Sequence, residues 1–123
     1  MSVSKKRRTT TYTKAPVKNV IEKQMLFDLE KKISLNVGSF LVLTEEGDPT
    51  QIALAHQKAK SDFLKFGPEM HQIAEKIGGD LLFSVAEYLE SIDTVLHTSG
   101  FLDEDLVTQC FHKTQKLEAQ LKR

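Results

Sequence analysis

Apolar residues recur at intervals of three and four positions through most of the chain after residue 17. In the first such stretch they share one face of a helix: Ile21, Met25, Leu26, Leu29 and Ile33. Side chains three or four positions apart lie on the same side of an α-helix, so this spacing predicts a helix that buries the stripe in a core. The pattern begins at Lys18, and we expect this first helix to end near Asn36 or Gly38.

A short apolar run, Phe-Leu-Val-Leu at residues 40–43, follows the first helix. The run has the length of a strand, but a strand needs a partner, and only residues 33–37 could supply one. We therefore expect a buried connector here. A small dimer-forming hairpin is the alternative.

The second helix has a well-marked start at Asp48-Pro49-Thr50-Gln51. Aspartate is a favoured N-cap, proline suits the first helical position, and glutamine three residues after the cap can complete a capping box. Five apolar residues then share one helical face: Ile52, Ala55, Ala59, Phe63 and Phe66. Gly67-Pro68 predicts the end of this helix and the start of another, which the glycine pair Gly78-Gly79 interrupts.

Two more helices complete the pattern, one over residues 81–97, ended by Ser99-Gly100, and one over residues 103–123. We expect residues 18–123 to fold as an all-α domain, a small bundle of four to five helices. Residues 1–17 contain almost nothing to bury, so they cannot offset the entropy lost on ordering. We expect them to form a disordered segment, which we call the basic arm.

Charge is distributed unevenly along the chain. Six basic residues precede the first acidic residue, Glu22: Lys5, Lys6, Arg7, Arg8, Lys14 and Lys18. The chain holds 17 basic and 17 acidic residues, which leaves 11 basic and 17 acidic ones in residues 19–123, a net charge of −6. Because basic segments bind polyanions by releasing counterions, we expect these six residues to contact nucleic acid. An acidic protein surface, a nuclear-localisation patch and a solubilising tail are the alternatives.

The side chains capable of chemistry predict no catalytic centre, metal site or cofactor. Cys110 and His112 point about 200° apart on a helix, so they cannot easily share a metal ion. Cys110 instead fits an apolar stripe as a small core residue. His56 lies on an amphipathic helix in a chain about as long as histidine phosphotransfer domains, but the Lys-Gly pair that usually follows their histidine is absent.

No apolar run approaches the roughly 18 residues that a membrane span needs. The single cysteine excludes an intrachain disulfide. We expect a cytoplasmic protein, nuclear if the organism is a eukaryote, without membrane contact or a small-molecule substrate.

These features predict a non-enzymatic regulatory or accessory protein that acts by binding. We expect the bundle to self-associate or to dock on a protein partner through apolar residues of the helix over residues 81–97: Leu82, Phe83, Val85, Leu89, Ile92, Val95 and Leu96. The basic arm would contact DNA or RNA. The alternatives are a structural subunit or chaperone of a larger helical assembly, and a histidine phosphotransfer domain that uses His56.

Overall fold

The computed structural model describes residues 19–97 and 103–122, which form four α-helices without any strand among them. The helices are α1 (Val20–Glu46), α2 (Pro49–Ile77), α3 (Gly79–His97) and α4 (Glu104–Leu121). The prediction of a small all-α bundle is confirmed. The basic arm and the expected stop at Ser99-Gly100 lie outside the described residues.

The predicted end of the first helix near Asn36 or Gly38 is wrong, because α1 continues to Glu46. The apolar run at residues 40–43 is helical and is neither a connector nor a strand. Glycine inside a helix costs about 1 kcal/mol relative to alanine. Burial of Val37 and Phe40, one on each side of Gly38, offsets that cost because both extend the core face of α1.

The core stripe of α1 begins later than the sequence pattern suggested. Leu26, Leu29 and Ile33 are buried, whereas Ile21 is 72% exposed and Met25 is 42% exposed. A row of side chains spaced strictly by four drifts around a helix by about 40° at each step. Ile21 therefore lies about 120° away from Ile33, outside the face that meets the other helices.

The predicted break at Gly67-Pro68 is also wrong, since both residues lie inside the 29-residue helix α2. Proline has no backbone N–H, so the Leu64 carbonyl loses its helical donor. The apolar face nevertheless continues past this point, with Met70 and Ile73 both buried. Gly67 is itself buried, because it lies where α2 approaches Leu89 of α3.

The predicted start of the second helix at Asp48 and the predicted interruption at Gly78-Gly79 are confirmed. At the start of α2 the Gln51 backbone N–H donates to Asp48 Oδ1 at 2.9 Å, and the Asp48 N–H donates to Gln51 Oε1 at 3.4 Å. Gly78 separates α2 from α3, and Gly79 is the first residue of α3; their φ angles of 74° and 63° lie in the left-handed region that favours glycine. Asp103 caps α4 by accepting from the Asp105 N–H at 2.9 Å.

Successive helices run antiparallel and enclose one core. Three side-chain contacts between helices define the arrangement: Asn36–Asp62, His56–Leu96 and Glu87–Lys113. The largest fully buried side chains come from all four helices and include Leu26, Ile33, Met70, Tyr88, Ile92 and Leu117. The four helices therefore share a single hydrophobic interior.

The two hairpins of the bundle differ in length. Helices α1 and α2 have 27 and 29 residues, whereas α3 and α4 have 19 and 18. At a rise of about 1.5 Å per residue, the first hairpin is longer by roughly 12 to 15 Å. His56 of α2 contacts Phe40 of α1 and the carbonyl of Leu96, near the end of α3. The turn that joins α1 to α2 therefore projects beyond that end.

Replacing Gly67 by alanine is expected to stabilise the fold. The added methyl group would lie 3.6 Å from Leu89 Cδ2 and 3.8 Å from the Phe63 ring, which are ordinary contact distances. Alanine also has the higher helix propensity, so we expect Gly67→Ala to raise the free energy of unfolding by roughly 0.5 to 1 kcal/mol. Urea denaturation followed by circular dichroism measures this change.

Gly78→Ala is the matched control for this substitution. Nothing lies within 4 Å of the added methyl group, but φ is 74°, which strains any residue with a Cβ atom. The same chemical change is therefore expected to lower the free energy of unfolding by about 1 kcal/mol. If Gly67→Ala destabilised the protein as much as Gly78→Ala, the described packing between α2 and α3 would be incorrect.

Candidate functional site

A buried carboxyl lies between α1 and α3. Glu30 is completely inaccessible to solvent, and the Ser34 hydroxyl donates to its Oε2 atom at 2.6 Å. Since Ser34 gives its only proton to Glu30, the 2.7 Å contact between the Ser34 and Tyr88 hydroxyls is a hydrogen bond donated by Tyr88. The Tyr88 hydroxyl also lies 3.3 Å from the Glu30 carbonyl. This chain of hydroxyl groups connects the middle of α1 to α3.

A second carboxyl, from α4, lies within hydrogen-bonding reach of Glu30. The Glu118 carboxylate accepts from Lys31 Nζ at 2.6 Å, at the edge of the bundle. No described residue donates a hydrogen bond to the other oxygen of Glu30, Oε1. Two carboxyl groups can form a hydrogen bond only through a proton that they share. The pair formed by the buried Glu30 and the partly exposed Glu118 is therefore satisfied when it holds one proton.

The proton of this pair resides on Glu30. Burial, reinforced by the neighbouring Glu118, raises the pKa of Glu30 to about 7. The hydrogen bond from Glu30 and the ion pair with Lys31 lower the pKa of Glu118. Burial also raises the pKa of Tyr88, so its hydroxyl stays a donor. Because no part of Glu30 reaches solvent, a substrate cannot contact this carboxyl in this conformation.

Most of the residues predicted to form an interface on the third helix lie inside the bundle. Val85, Ile92, Val95 and Leu96 are buried, and Leu82 and Leu89 pack partly buried against the core. Phe83 differs from the rest, since its side chain is 71% exposed. Helix α3 packs against both α2 and α4, which covers two of its faces. That these seven residues form a surface for a protein partner stays a prediction.

The six basic residues predicted to contact nucleic acid, Lys5, Lys6, Arg7, Arg8, Lys14 and Lys18, lie outside the described residues. Their role in nucleic-acid binding stays a prediction.

His56 and Cys110 both make contacts within the bundle. The His56 Nε2 atom lies 2.5 Å from the Leu96 carbonyl, and the imidazole meets the Phe40 ring edge-on with centroids 5.1 Å apart. Cys110 is buried, as the sequence predicted, and burial raises the pKa of its thiol. His56 therefore links α1, α2 and the end of α3, while Cys110 fills the core.

A surface that the sequence analysis missed runs along the outer face of α1. Ile21, Leu35 and Val42 are between 62% and 72% exposed. They are separated by multiples of seven residues, and Asp28 occupies the remaining position of the row. We call these four residues the outer α1 row. Their seven-residue spacing could have predicted this exposed row from the sequence. Ile21 also fits the four-residue spacing of the core stripe, however, and was assigned to the core on that basis.

No family model, curated protein or solved structure matches this chain. Within residues 19–97 and 103–122, no three His, Cys, Asp or Glu side chains are placed to hold a metal ion together. None of the described helices is both long and apolar enough to cross a membrane.

The stability of the protein should depend on pH through Glu30. A folded-state pKa of about 7 against an ordinary value of 4.5 means that the folded protein keeps this proton after the unfolded chain has lost it. Stability from this group is complete below pH 4.5 and is lost as the pH rises through 7. The expected loss is about 3 kcal/mol in the free energy of unfolding. Denaturation at several pH values measures it.

Glu30→Gln should abolish most of this dependence, because an amide does not titrate but can still donate to Glu118. Tyr88→Phe is the control from the same cluster. It removes a hydroxyl, which we expect to cost about 1 kcal/mol, yet it should leave the fall in stability with rising pH in place. Equal pH profiles for the native protein and Glu30→Gln would show that Glu30 is ionised in the folded state.

Proposed function

We propose that this protein is a non-enzymatic regulatory or accessory binding protein. Its helical bundle docks on a protein partner, and its basic arm contacts nucleic acid. The observation that carries the proposal is the separation of charge: six basic residues precede the first acid at Glu22, whereas residues 19–123 have a net charge of −6. Such a distribution attracts a polyanion to one end of the chain and repels it from the rest.

Apolar side chains on the surface support the docking half of the proposal. Nine large hydrophobic side chains of the described residues are exposed, and five of them lie on α1: Val20, Ile21, Met25, Leu35 and Val42. The core of the bundle is closed without these side chains, so internal packing does not account for them. Exposed apolar groups concentrated on one helix are typical of protein-binding surfaces.

The contacts of the most reactive side chains also favour binding over chemistry. Glu30 and Cys110 are buried, and the raised pKa of the Cys110 thiol works against the thiolate that a nucleophile needs. His56 Nε2 contacts the Leu96 carbonyl. These three groups hold the helices together.

Deleting residues 1–15 tests the nucleic-acid half. The deletion removes five of the six basic residues and leaves Lys18. We expect weaker binding to duplex DNA and to single-stranded RNA in fluorescence anisotropy titrations. On duplex DNA, the slope of log affinity against log salt should fall by about one for each lost phosphate contact.

The control keeps the composition of the basic arm but scrambles its order. A flexible basic segment reads the backbone charge rather than the bases, so the scrambled chain should retain most of the affinity. If the intact protein bound neither nucleic acid even at low salt, the nucleic-acid role would be wrong. The remaining role would then be that of a subunit in a helical assembly.

A further inference from the structure

The contact between α1 and α4 is the least extensive one between adjacent helices of the bundle. Helix α4 packs more extensively on α3 than on α1. Lys113 and Lys116 of α4 also bind Glu87 of α3, at 2.9 and 3.1 Å. The ion pair between Lys31 of α1 and Glu118 of α4 lies at the edge of the bundle, where Lys31 is 53% exposed, and exposed ion pairs contribute little to stability. Helix α4 can therefore separate from α1 without leaving α3.

The proton on Glu30 lies at this contact. On one side of the carboxyl group, the Ser34 hydroxyl donates to Oε2 at 2.6 Å and accepts from Tyr88 of α3. On the other side, Oε1 has no donor among the described residues, and Glu118 of α4 lies within hydrogen-bonding reach of the carboxyl group. A shared proton joins two carboxyl groups, whereas two carboxylates repel each other. Loss of the proton therefore removes the bond to α4 and keeps the hydroxyl bonds toward α3.

The surrounding charged groups do not replace this proton. The titratable groups around Glu30 come from three helices: Lys31 of α1, Tyr88 of α3, and Cys110, Glu118 and Lys122 of α4. Lys31 attracts both carboxyl groups, but its ammonium group binds Glu118 at the exposed edge. Burial raises the pKa values of Tyr88 and Cys110, so both stay neutral as Glu30 ionises. The ionised cluster therefore sets two carboxylates against one bound ammonium group.

We propose that α4 separates from α1 when Glu30 loses its proton, while α4 stays packed against α3. The separation admits water to Glu30, which relieves the cost of burying its charge. It also uncovers apolar side chains that the closed bundle buries, among them Leu117 and Leu121 of α4. The bundle thus presents an additional apolar surface above neutral pH. This inference goes beyond the proposed function, since it requires neither nucleic acid nor a partner.

The ionisation of Glu30 determines the direction and the size of the effect. Its pKa is about 7 in the closed bundle and returns toward the ordinary value of 4.5 once water reaches the carboxyl group. Because the pKa is raised in the closed state, low pH favours that state, and the preference is lost as the pH rises through 7. Between pH values of about 5.5 and about 8.5, the ratio of open to closed molecules should rise roughly 30-fold.

Distances between spin labels on neighbouring helices test the opening at these two pH values. One label pair joins Leu35→Cys on α1 to Gln115→Cys on α4, and the other joins Phe83→Cys on α3 to Gln115→Cys. All three positions are exposed. Both chains carry Cys110→Ala, so that only the introduced thiols react with the label, and circular dichroism verifies their fold. Pulsed electron paramagnetic resonance should show a longer α1–α4 distance that gains population at high pH, and an unchanged α3–α4 distance.

Three glutamate-to-glutamine substitutions identify the group responsible. Glu30→Gln should keep α4 on α1 at both pH values, because its amide does not titrate and can donate to Glu118. Glu118→Gln should have the same effect, because it places the amide donor on the opposite side of the contact. Glu87→Gln is the matched control, since it makes the same change at an exposed glutamate that pairs α3 with α4. It should leave the opening at high pH in place.

A longer α1–α4 distance at high pH that Glu30→Gln abolishes supports the proposal. An α1–α4 distance that is the same at both pH values overturns it. If both label pairs lengthened together, the whole bundle would be unfolding, and the proposed opening would be wrong. If the longer distance persisted in both Glu30→Gln and Glu118→Gln, a group other than this carboxyl pair would cause the opening, and the proposal would also be wrong.

Discussion

The arrangement of this bundle depends on the burial of one carboxyl group. Glu30 lies in the interior, where an unpaired charge would be costly. The Ser34 hydroxyl, itself hydrogen-bonded to Tyr88, donates to one side of the carboxyl, and a second carboxyl lies on the other. These partners come from three helices. Each must stay in position for the group to remain satisfied, so the cluster fixes how α3 and α4 lie against α1. Apolar packing has no directional requirement, so by itself it would let the helices slide along one another more easily than this hydrogen-bonded cluster does.

The sequence predicted the class of fold and those helix boundaries that depend only on neighbouring residues. The capping box at Asp48 and the break at Gly78-Gly79 depend on a few adjacent residues, and both are present in the structure. Gly38 and Pro68 resemble helix ends by the same local rules, but both lie inside helices. Glycine and proline favour a helix end at these two positions, but burying the apolar residues of the following helical turn contributes more free energy. That burial depends on partners distant in the sequence.

The candidate sites were less predictable for the same reason. Glu30 is one of many acidic residues in the sequence, and its environment arises from Ser34, Tyr88 and Glu118, the last two more than 50 positions away. The apolar residues of α3 could not be divided between core and surface from spacing, because the helix has neighbours on two sides. Phe83 is exposed only because neither neighbour reaches its face.

The order in which the bundle closes follows from its connectivity. Each helix packs against the next one in the chain, so most contacts form between segments separated by a short turn, which favours rapid folding. The contact between α1 and α4 is different, because Lys31 and Glu118 are separated by 87 positions. Closing that loop has the largest entropic cost, and α1 and α4 pack the least of the adjacent helix pairs. The shared proton therefore lies at the most weakly packed seam between adjacent helices, and we expect proton release from Glu30 to loosen the bundle there first.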